Sequence, residues 1–382
     1  MEGVEDHDGT IRTDDGTRIP RLEMTVSHII NHTTVLYGLT ETGKSVFIKD
    51  MMNKLHGQID QALVFSPTEP ANQAYKGYVH PTYIHTKVGP GVTKGDMVDF
   101  LKRLKQRQEM MMAMHNKASN LDTLGRLYNR IPAASRVGGS HLARLTDVSR
   151  AICRQIERRH SRNLVARESD IKKVKDRIAE IRVIVLKFAI RRHRKTLMTN
   201  ADQMQLDASE RYALTYLELN PRILLIFDDC SAELKPLFNT SIFREIFYQG
   251  RHSMMTVFVT CQDDTDMPAA LRRNAFISVF TEQMTATTMM GRVKSKALRT
   301  TVEKIVPVIF DRALAHKHRK YVYIREDPTQ RLHYHYTAKL QLPKIFGSPA
   351  VLELGRQLHA SEDVIDETNP YFQAFRLAPA DE

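Results

Sequence analysis

The chain has 382 residues, of which 42% are hydrophobic and 26% charged, and this suffices for one large core with an added module. Its net charge of +12 is unevenly placed: residues 101–200 hold 25 Lys and Arg against 8 Asp and Glu, whereas the remainder holds 31 against 36. No apolar run approaches the roughly 20 residues of a membrane span, and three scattered cysteines form no disulfide framework, so we expect a soluble protein of a reducing compartment.

The first part of the chain has the pattern of half an α/β core. A polar, acidic leader at residues 1–23 has the character of neither a secretory signal nor a transit peptide, and the core half follows at residues 24–95. The predicted elements are strands at Met24–Asn31 and Thr33–Tyr37, a helix at Ser45–Leu55 and a strand at Gln61–Ser66. This strand–turn–helix–strand order predicts a parallel sheet covered on both faces.

Residues 96–217 are predicted to form a basic helical insertion. Within Glu168–Lys195, apolar residues recur at alternating steps of three and four, as in a heptad seam: Ile171, Val174, Ile178, Ile181, Val185 and Phe188. Such a seam packs either inside a helical hairpin, which we favour, or against a second chain in a coiled coil. The surrounding basic residues form either a solvated face or a surface for DNA phosphates, and their large excess favours the phosphates.

The α/β pattern returns at residues 218–346, the second half of the core. The predicted elements are buried strands at Ile223–Phe227, Thr256–Thr260 and Phe276–Phe280, a helix at Ser241–Tyr248, and a hairpin of Lys320–Arg325 with Leu332–Tyr336. His333 and His335 would share one strand face, where cross-strand packing is favoured over metal binding because no third ligand is evident. A C-terminal tail, residues 347–382, holds one predicted helix.

A glycine-rich motif follows the strand Thr33–Tyr37. It reads Gly38-Leu39-Thr40-Glu41-Thr42-Gly43-Lys44-Ser45 and matches G-x4-G-K-[ST] at every fixed position. The glycines let backbone N–H groups face phosphates, the lysine neutralises phosphate oxygens and the serine hydroxyl binds Mg²⁺. The positive end of the following helix adds to this attraction. The motif predicts a binding site for ATP and Mg²⁺.

A second motif is the apolar strand Ile223–Phe227, which ends in Asp228 and Asp229. This is the Walker B pattern, in which the first carboxylate holds Mg²⁺ and the second polarises the attacking water. An ordinary turn also often begins with Asp. The glycine-rich motif upstream favours the catalytic interpretation, with Asp228 at the metal and Asp229 as the base.

Three further residues are candidates for γ-phosphate chemistry. Gln262 follows a buried strand and would face the γ-phosphate, since ligands lie beyond the carboxyl ends of parallel strands. Arg251 and Arg273 precede strands, and a guanidinium from a neighbouring subunit can stabilise charge in the transition state. The alternatives are an ordinary polar strand end for Gln262 and surface or salt-bridged roles for the arginines.

The order of these motifs resembles a known family. GLTETGKS, QALVFSPTEP, ILLIFDDC, QGRHSMMTVFVTCQD, LRRNAFISVF and the YVYIRED…RLHYHY hairpin are similar to the poxvirus-type genome-packaging ATPases of large DNA viruses, in the FtsK/HerA superfamily. The resemblance covers about residues 33–90 and 219–336, and the insertion at residues 96–217 departs from it. It implies a RecA-like α/β fold with a mainly parallel central sheet.

The resemblance also implies a function. It predicts Mg²⁺-dependent ATP hydrolysis, assembly into a ring of identical subunits, and movement of double-stranded DNA into a capsid in the infected host cell, with a capsid or portal-vertex protein as partner. Lys44 and Ser45 match the Walker A pair, Asp228 and Asp229 the Walker B pair, and Gln262 the sensor. Two alternatives remain at this stage: a P-loop kinase for a small molecule, and a nucleic-acid- or capsid-binding module whose shape ATP switches without strong hydrolysis.

Overall fold

The computed structural model describes residues 4–86, 96–115, 121–161, 163–217, 220–311, 318–325, 332–340 and 342–360. Two compact units divide the chain. The first contains Met1–Lys105 and Arg222–Val364, and the second is built around Gln106–Pro221. None of the described helices is long and apolar enough to cross a membrane.

Eleven strands and fourteen helices are present in the described ranges. The strands are β1 Val4–Glu5, β2 Ile11–Arg12, β3 Arg18–Ile19, β4 Thr33–Tyr37, β5 Gln61–Phe65, β6 Ile84–His85, β7 Ile223–Phe227, β8 Met255–Cys261, β9 Ile277–Phe280, β10 Arg319–Ile324 and β11 His333–Thr337. The helices are α1 Val26–Ile29, α2 Lys44–Leu55, α3 Glu69–Asn72, α4 Asp96–His115, α5 Leu121–Arg130, α6 Gly139–Arg159, α7 Leu164–Thr199, α8 Ala208–Tyr216, α9 Ser231–Leu234, α10 Ser241–Gln249, α11 Ala269–Asn274, α12 Gln283–Gly291, α13 Lys296–Ile309 and α14 Pro349–Ala360.

The first unit is organised by one eight-stranded sheet in the order β11-β10-β9-β4-β8-β7-β5-β6. Six neighbouring strands, from β9 to β6, are parallel, and β10 and β11 extend the sheet as an antiparallel hairpin. Every residue of β4, β5, β7, β8 and β9 is buried, because the strands of a parallel sheet are covered on both faces. The predicted α/β fold with a mainly parallel sheet is confirmed.

The register of this sheet brings the motifs together. Tyr37, the last residue of β4, pairs with Cys261, the last residue of β8. Phe227, the last residue of β7, pairs with Val259 of the same strand β8. The chain therefore leaves β4, β8 and β7 at one edge of the sheet, with β8 between the other two.

The start of the chain contains elements that the sequence did not predict. The polar leader folds into a three-stranded antiparallel sheet of β1, β2 and β3, with Ile11 and Ile19 fully buried. It joins the large sheet where Leu22 N–H donates to the His335 carbonyl oxygen (2.9 Å). The strand predicted at Met24–Asn31 is wrong, because a short helix α1 forms there behind Thr25, whose hydroxyl and His28 form a capping box.

The second unit is helical, and α6 and α7 form an antiparallel hairpin in it. Arg182 of α7 donates to the Thr146 hydroxyl of α6 (2.6 Å), and His160 at the end of α6 lies 3.4 Å from Asp170 near the start of α7. The favoured hairpin interpretation is thus confirmed.

The predicted heptad seam is wrong in its last third. Phe188 is 52% exposed, whereas Val183, Leu186 and Ile190 are buried. These three residues pack in an apolar cluster with residues of α5 and α8, and α6 covers the earlier part of α7. The buried face of α7 therefore rotates where its packing partner changes.

Candidate nucleotide site

The glycine-rich turn between β4 and α2 adopts a conformation that its sequence allows. Gly38 and Gly43 have φ values of 151° and 88°, which glycine adopts without strain, whereas Glu41 holds a left-handed φ of 63° that is uncommon outside glycine. A Cβ atom on Gly38 would also lie 1.9 Å from the Thr281 hydroxyl oxygen. The turn thus needs glycine at position 38 for space as well as for backbone conformation.

Lys44 opens α2 and folds back over this turn. Its Nζ donates to the carbonyl oxygens of Gly38 (2.6 Å) and Leu39 (2.9 Å), and the residue is 6% exposed. Burial lowers the pKa of Lys44, and the charges of Asp229 and Asp228 act in the opposite direction. The ammonium group therefore lies within the field of both acids that end β7.

Asp228 is the acid most firmly held at this edge. Its Oδ2 accepts hydrogen bonds from the Tyr75 hydroxyl (2.8 Å) and the Ser45 hydroxyl (3.3 Å), and the residue is 4% exposed. Burial raises its pKa, while the hydroxyls of Tyr75 and Thr260 oppose that rise by stabilising the carboxylate. Ser45 and Asp228, the two predicted metal ligands, are thus in direct contact.

Asp229 occupies a strained backbone position. Its φ is 52°, a left-handed value that is uncommon outside glycine, and its N–H donates to the Thr260 hydroxyl of β8 (2.9 Å). The neighbouring strand therefore fixes the turn that carries this carboxylate. Backbone strain of this kind is concentrated at functional sites.

Gln262 lies directly after β8, at the same edge as Lys44 and Asp228. Its backbone N–H donates to Asp266 (3.0 Å), and the residue is exposed. Because Cys261 pairs with Tyr37, Gln262 follows β8 next to the start of the glycine-rich turn.

The two arginine candidates lie elsewhere. Arg251 precedes β8 and Arg273 precedes β9, so both lie at the amino edge of the sheet, opposite Lys44 of the same chain. Since β8 has seven residues, the sheet separates the two edges by roughly 20 Å. Each arginine lines a cavity there, of about 150 Å³ for Arg251 and about 700 Å³ for Arg273.

Two site residues were not found from the sequence. Tyr75, which holds Asp228, comes from the loop after α3 and belongs to no recognisable motif. Lys320, on β10, donates from Nζ to the Thr42 carbonyl oxygen (2.7 Å) although 276 residues separate it from Lys44 in sequence. The one available signal was a pair of basic residues, Arg319 and Lys320, at the start of an otherwise apolar and aromatic strand.

The histidines of β11 are engaged by other groups. His335 is 1% exposed, and its Nε2 lies 2.7 Å from the Gly9 carbonyl oxygen. His333 Nδ1 lies 2.7 Å from the Tyr321 hydroxyl of the paired strand β10.

The glycine-rich turn between β4 and α2, and the acids that end β7 at the same edge of a parallel sheet, define a RecA-like P-loop NTPase fold. No protein-family model matches the chain. It is 36% identical over 384 residues to protein B354L of African swine fever virus, covering 96% of this chain and 99% of the relative. The chain belongs to the family of B354L.

Other similarities are shorter or weaker. Protein 075L of invertebrate iridescent virus 6 is 32% identical over 65 residues, 17% of this chain and 25% of the relative. Two similar solved structures are the genome packaging NTPase B204 of Sulfolobus turreted icosahedral virus 2 with ATP-γS (11% identity, 81% of this chain and 98% of that chain, TM-score 0.36) and the pCW3 conjugation coupling protein TcpA (9%, 94% and 71%, TM-score 0.35). Similarity this low does not extend to function.

Proposed function

We propose that the chain is an ATP-driven motor that moves double-stranded DNA into a virus capsid, working as a ring of identical subunits. The observation that carries the proposal is the convergence of Lys44, Ser45, Asp228 and Asp229 at one sheet edge. An ammonium group, a hydroxyl and two carboxylates around a glycine-rich turn are the groups that phosphoryl transfer to water requires.

The oxygen atoms of this site fit Mg²⁺. Ser45 Oγ and Asp228 Oδ2 lie 3.3 Å apart, and a hydroxyl and one carboxylate are hard ligands of the kind that hold Mg²⁺ together with substrate phosphates and water. Mg²⁺ held by these two residues would neutralise charge that develops on the phosphates. Tyr75 keeps the Asp228 carboxylate oriented toward Ser45.

Asp229 is the proposed base for the attacking water. The turn held by Thr260 fixes its backbone, and Gln262 lies at the end of the intervening strand, where its amide would contact the γ-phosphate. Lys44 would exchange the carbonyl oxygens of Gly38 and Leu39 for phosphate oxygens when ATP binds, because an ionised phosphate is a stronger hydrogen-bond acceptor than a neutral carbonyl.

Either arginine would serve a neighbouring subunit, since neither lies at the nucleotide edge of its own chain. The cavity of Arg273 favours this role. Its lining includes five cations: Arg272, Arg273, Arg292, Lys294 and Arg325. The described lining residues include no carboxylate, so the cavity is complementary to an anion such as the triphosphate of an adjacent copy.

The α6–α7 hairpin is the proposed DNA surface. Residues 139–199 hold 17 Lys and Arg against 6 Asp and Glu, a balance of +11. Arg150, Arg154 and Arg158 are exposed and lie four residues apart on α6, so they form one stripe with a rise of about 6 Å per step. A row of guanidinium groups at this spacing suits a phosphate backbone.

B354L and 075L are proteins of viruses, which supports expression of this chain in an infected host cell and, with it, a capsid or portal-vertex partner. The decisive experiment measures ATP hydrolysis with and without linear duplex DNA over a salt series. We expect DNA to stimulate turnover, and the stimulation to fall steeply with salt because counterions are released on binding. Turnover with a small acceptor but not with DNA would instead identify a kinase, and ATP binding without hydrolysis in the presence of DNA would identify a switchable binding module.

A paired substitution tests the hairpin. Arg154→Gln with Arg158→Gln removes two exposed charges that form no ion pair within the described ranges. The matched control, Lys173→Gln with Arg177→Gln, removes two charges of the same hairpin that pair with Asp170 and Glu180. The substitution of Arg154 and Arg158 should reduce the magnitude of the slope of log affinity against log salt by about 2. Equal effects of the two pairs would contradict a specific role for the α6 stripe.

A further inference from the structure

Strand β10 brings a second lysine to the back of the glycine-rich turn. Lys320 is 1% exposed, and its Nζ donates to the Thr42 carbonyl oxygen at 2.7 Å. β10 belongs to the antiparallel end of the sheet, two strands away from β4. Lys320 therefore contacts the glycine-rich turn from a strand outside the parallel part of the sheet. The parallel strands β4 and β7 carry the glycine-rich motif and the pair Asp228–Asp229.

The contact fixes the direction of one backbone N–H group. In a planar trans peptide, the C=O and the following N–H point in opposite directions. With the Thr42 carbonyl directed at the ammonium group behind the turn, the N–H of Gly43 is directed to the other side. That side is where a glycine-rich turn before a helix presents its N–H groups to phosphates.

The fit behind Gly43 is close. A Cβ atom on Gly43 would lie 3.0 Å from Lys320 Nζ and 3.0 Å from His318 Nδ1. These two side chains therefore form the floor beneath this peptide, and the glycine leaves room for them.

Within the described part of the chain, no nearby acid balances the charge of Lys320. Among the residues that the structure describes, no carboxylate forms an ion pair with it, and the charged group that acts on it is Lys44. Burial, together with the charge of Lys44, lowers the pKa of Lys320 from 10.5 to about 8. A buried ammonium group without a counter-ion is unfavourable, and a bound polyphosphate would supply the missing negative charge.

We propose that Lys320 is a positioning residue of the nucleotide site, which orients the Thr42–Gly43 peptide toward the phosphates and adds positive charge behind the turn. The inference rests on the proposed function only in requiring that the turn binds a nucleotide. It requires neither hydrolysis nor DNA. Lys320 thus makes the antiparallel hairpin part of the phosphate site.

The test measures binding of Mg·ATP and of tripolyphosphate by calorimetry to the full chain and to Lys320→Met, Lys320→Gln and Lys44→Ala. We expect Lys320→Met to weaken both ligands by about 10- to 100-fold, the range for a lost hydrogen bond to a charged group. Lys320→Gln retains a donor without the charge and should fall between Lys320→Met and the parent. The matched control is Lys304→Met, which removes an exposed lysine paired with Asp15 and should leave both affinities unchanged.

The outcomes separate the two proposals. Parental affinity in both Lys320 variants, with binding lost in Lys44→Ala, would overturn the role of Lys320 and leave the nucleotide site intact. Absence of binding in the parent protein would overturn the proposed function itself. A purely structural role would lower the unfolding temperature of the ligand-free variants without changing the affinity of the folded protein, and this too would overturn the inference. If Lys320→Met does not fold, Lys320→Gln decides by the same criteria.

Discussion

The first unit, which contains the glycine-rich turn, and the helical second unit bury their side chains to different extents. Strands β4, β7 and β8 are buried along their whole length, with Val35, Leu225 and Phe258 fully inaccessible. In the α6–α7 hairpin, no residue of α6 is buried, and the first half of α7 is only partly covered. A sheet covered on both faces fixes each residue from two sides, whereas a two-helix hairpin encloses one narrow seam.

The two units also differ in charge, and the difference has a functional side. The hairpin carries a balance of +11 of the net +12 of the chain, while the lysines at the nucleotide turn are buried and few. In the proposed function, positive charge acts at one localised phosphate site in the first unit and along an extended exposed surface in the second. Each unit can be damaged separately if this division of roles is right.

The largest expected effect concerns this separation. Lys44→Ala should lower ATP turnover by roughly 100-fold or more, the scale for removal of one preorganised charge or donor facing the transition state. Duplex affinity measured without nucleotide should stay at the parental value, whereas Arg154→Gln with Arg158→Gln should weaken DNA binding and spare basal turnover. ATPase assays and fluorescence anisotropy measure the two properties. Loss of DNA binding in Lys44→Ala would contradict the proposed separation of nucleotide binding and DNA binding between the two units.

A second prediction tests the corrected face of α7. Leu186 is 5% exposed and Phe188 is 52% exposed, although the heptad pattern favoured Phe188 as the buried residue. Leu186→Ala should lower the free energy of unfolding by about 2–5 kcal/mol, and Phe188→Ala by less than about 1 kcal/mol. Urea denaturation followed by circular dichroism would compare them. A larger loss in Phe188→Ala than in Leu186→Ala would support the original heptad interpretation of α7.

A third prediction concerns the free energy of unfolding at low pH. Burial lowers the pKa of His335 from 6.5 to about 4, and its bond to Gly9 opposes that shift. Between these values the unfolded chain binds a proton that the folded chain does not, so the free energy of unfolding falls as the pH drops from 6.5 to 4. The full shift corresponds to about 3 kcal/mol. In His335→Gln, the free energy of unfolding should depend less steeply on pH, as measured by chemical denaturation at a series of pH values. An unchanged pH dependence would show that His335 does not contribute to it.

The smallest expected effect concerns a helix start in the second unit. Asp207 Oδ1 accepts from Glu210 N–H (2.8 Å), and Glu210 Oε2 accepts from Asp207 N–H (3.0 Å). Asp207→Ala should lower the free energy of unfolding by about 1 kcal/mol, and Asp207→Asn by less, since asparagine also caps helices. Thermal denaturation of the two variants checks the order. Equal losses would mean that the carboxylate charge, and not the cap, stabilises α8.

The sequence predicted the parallel sheet because its strands are continuous apolar runs, and it predicted the turn from Gly38 to Ser45 because phosphate binding restricts each fixed position. It missed Tyr75 and Lys320 because their roles arise from tertiary proximity to the site and carry no local pattern. The segment around Thr25 was misread because β-branched residues resemble a strand, while hydrogen bonds between Thr25 and the His28 ring stabilise the start of a helix. On α7, spacing alone could not indicate that the packing partner changes along the helix.

The location of Arg251 and Arg273 at the edge remote from Lys44 has a consequence for isolated subunits. If one of these arginines acts on the nucleotide of a neighbouring subunit, as proposed, a solitary copy would hold one half of two different catalytic centres and no complete one, so specific activity should rise with protein concentration. Two inactive preparations, one lacking Lys44 and the other lacking the effective arginine, should regain part of the activity when mixed. Such complementation would arise wherever an intact nucleotide edge meets an intact arginine edge.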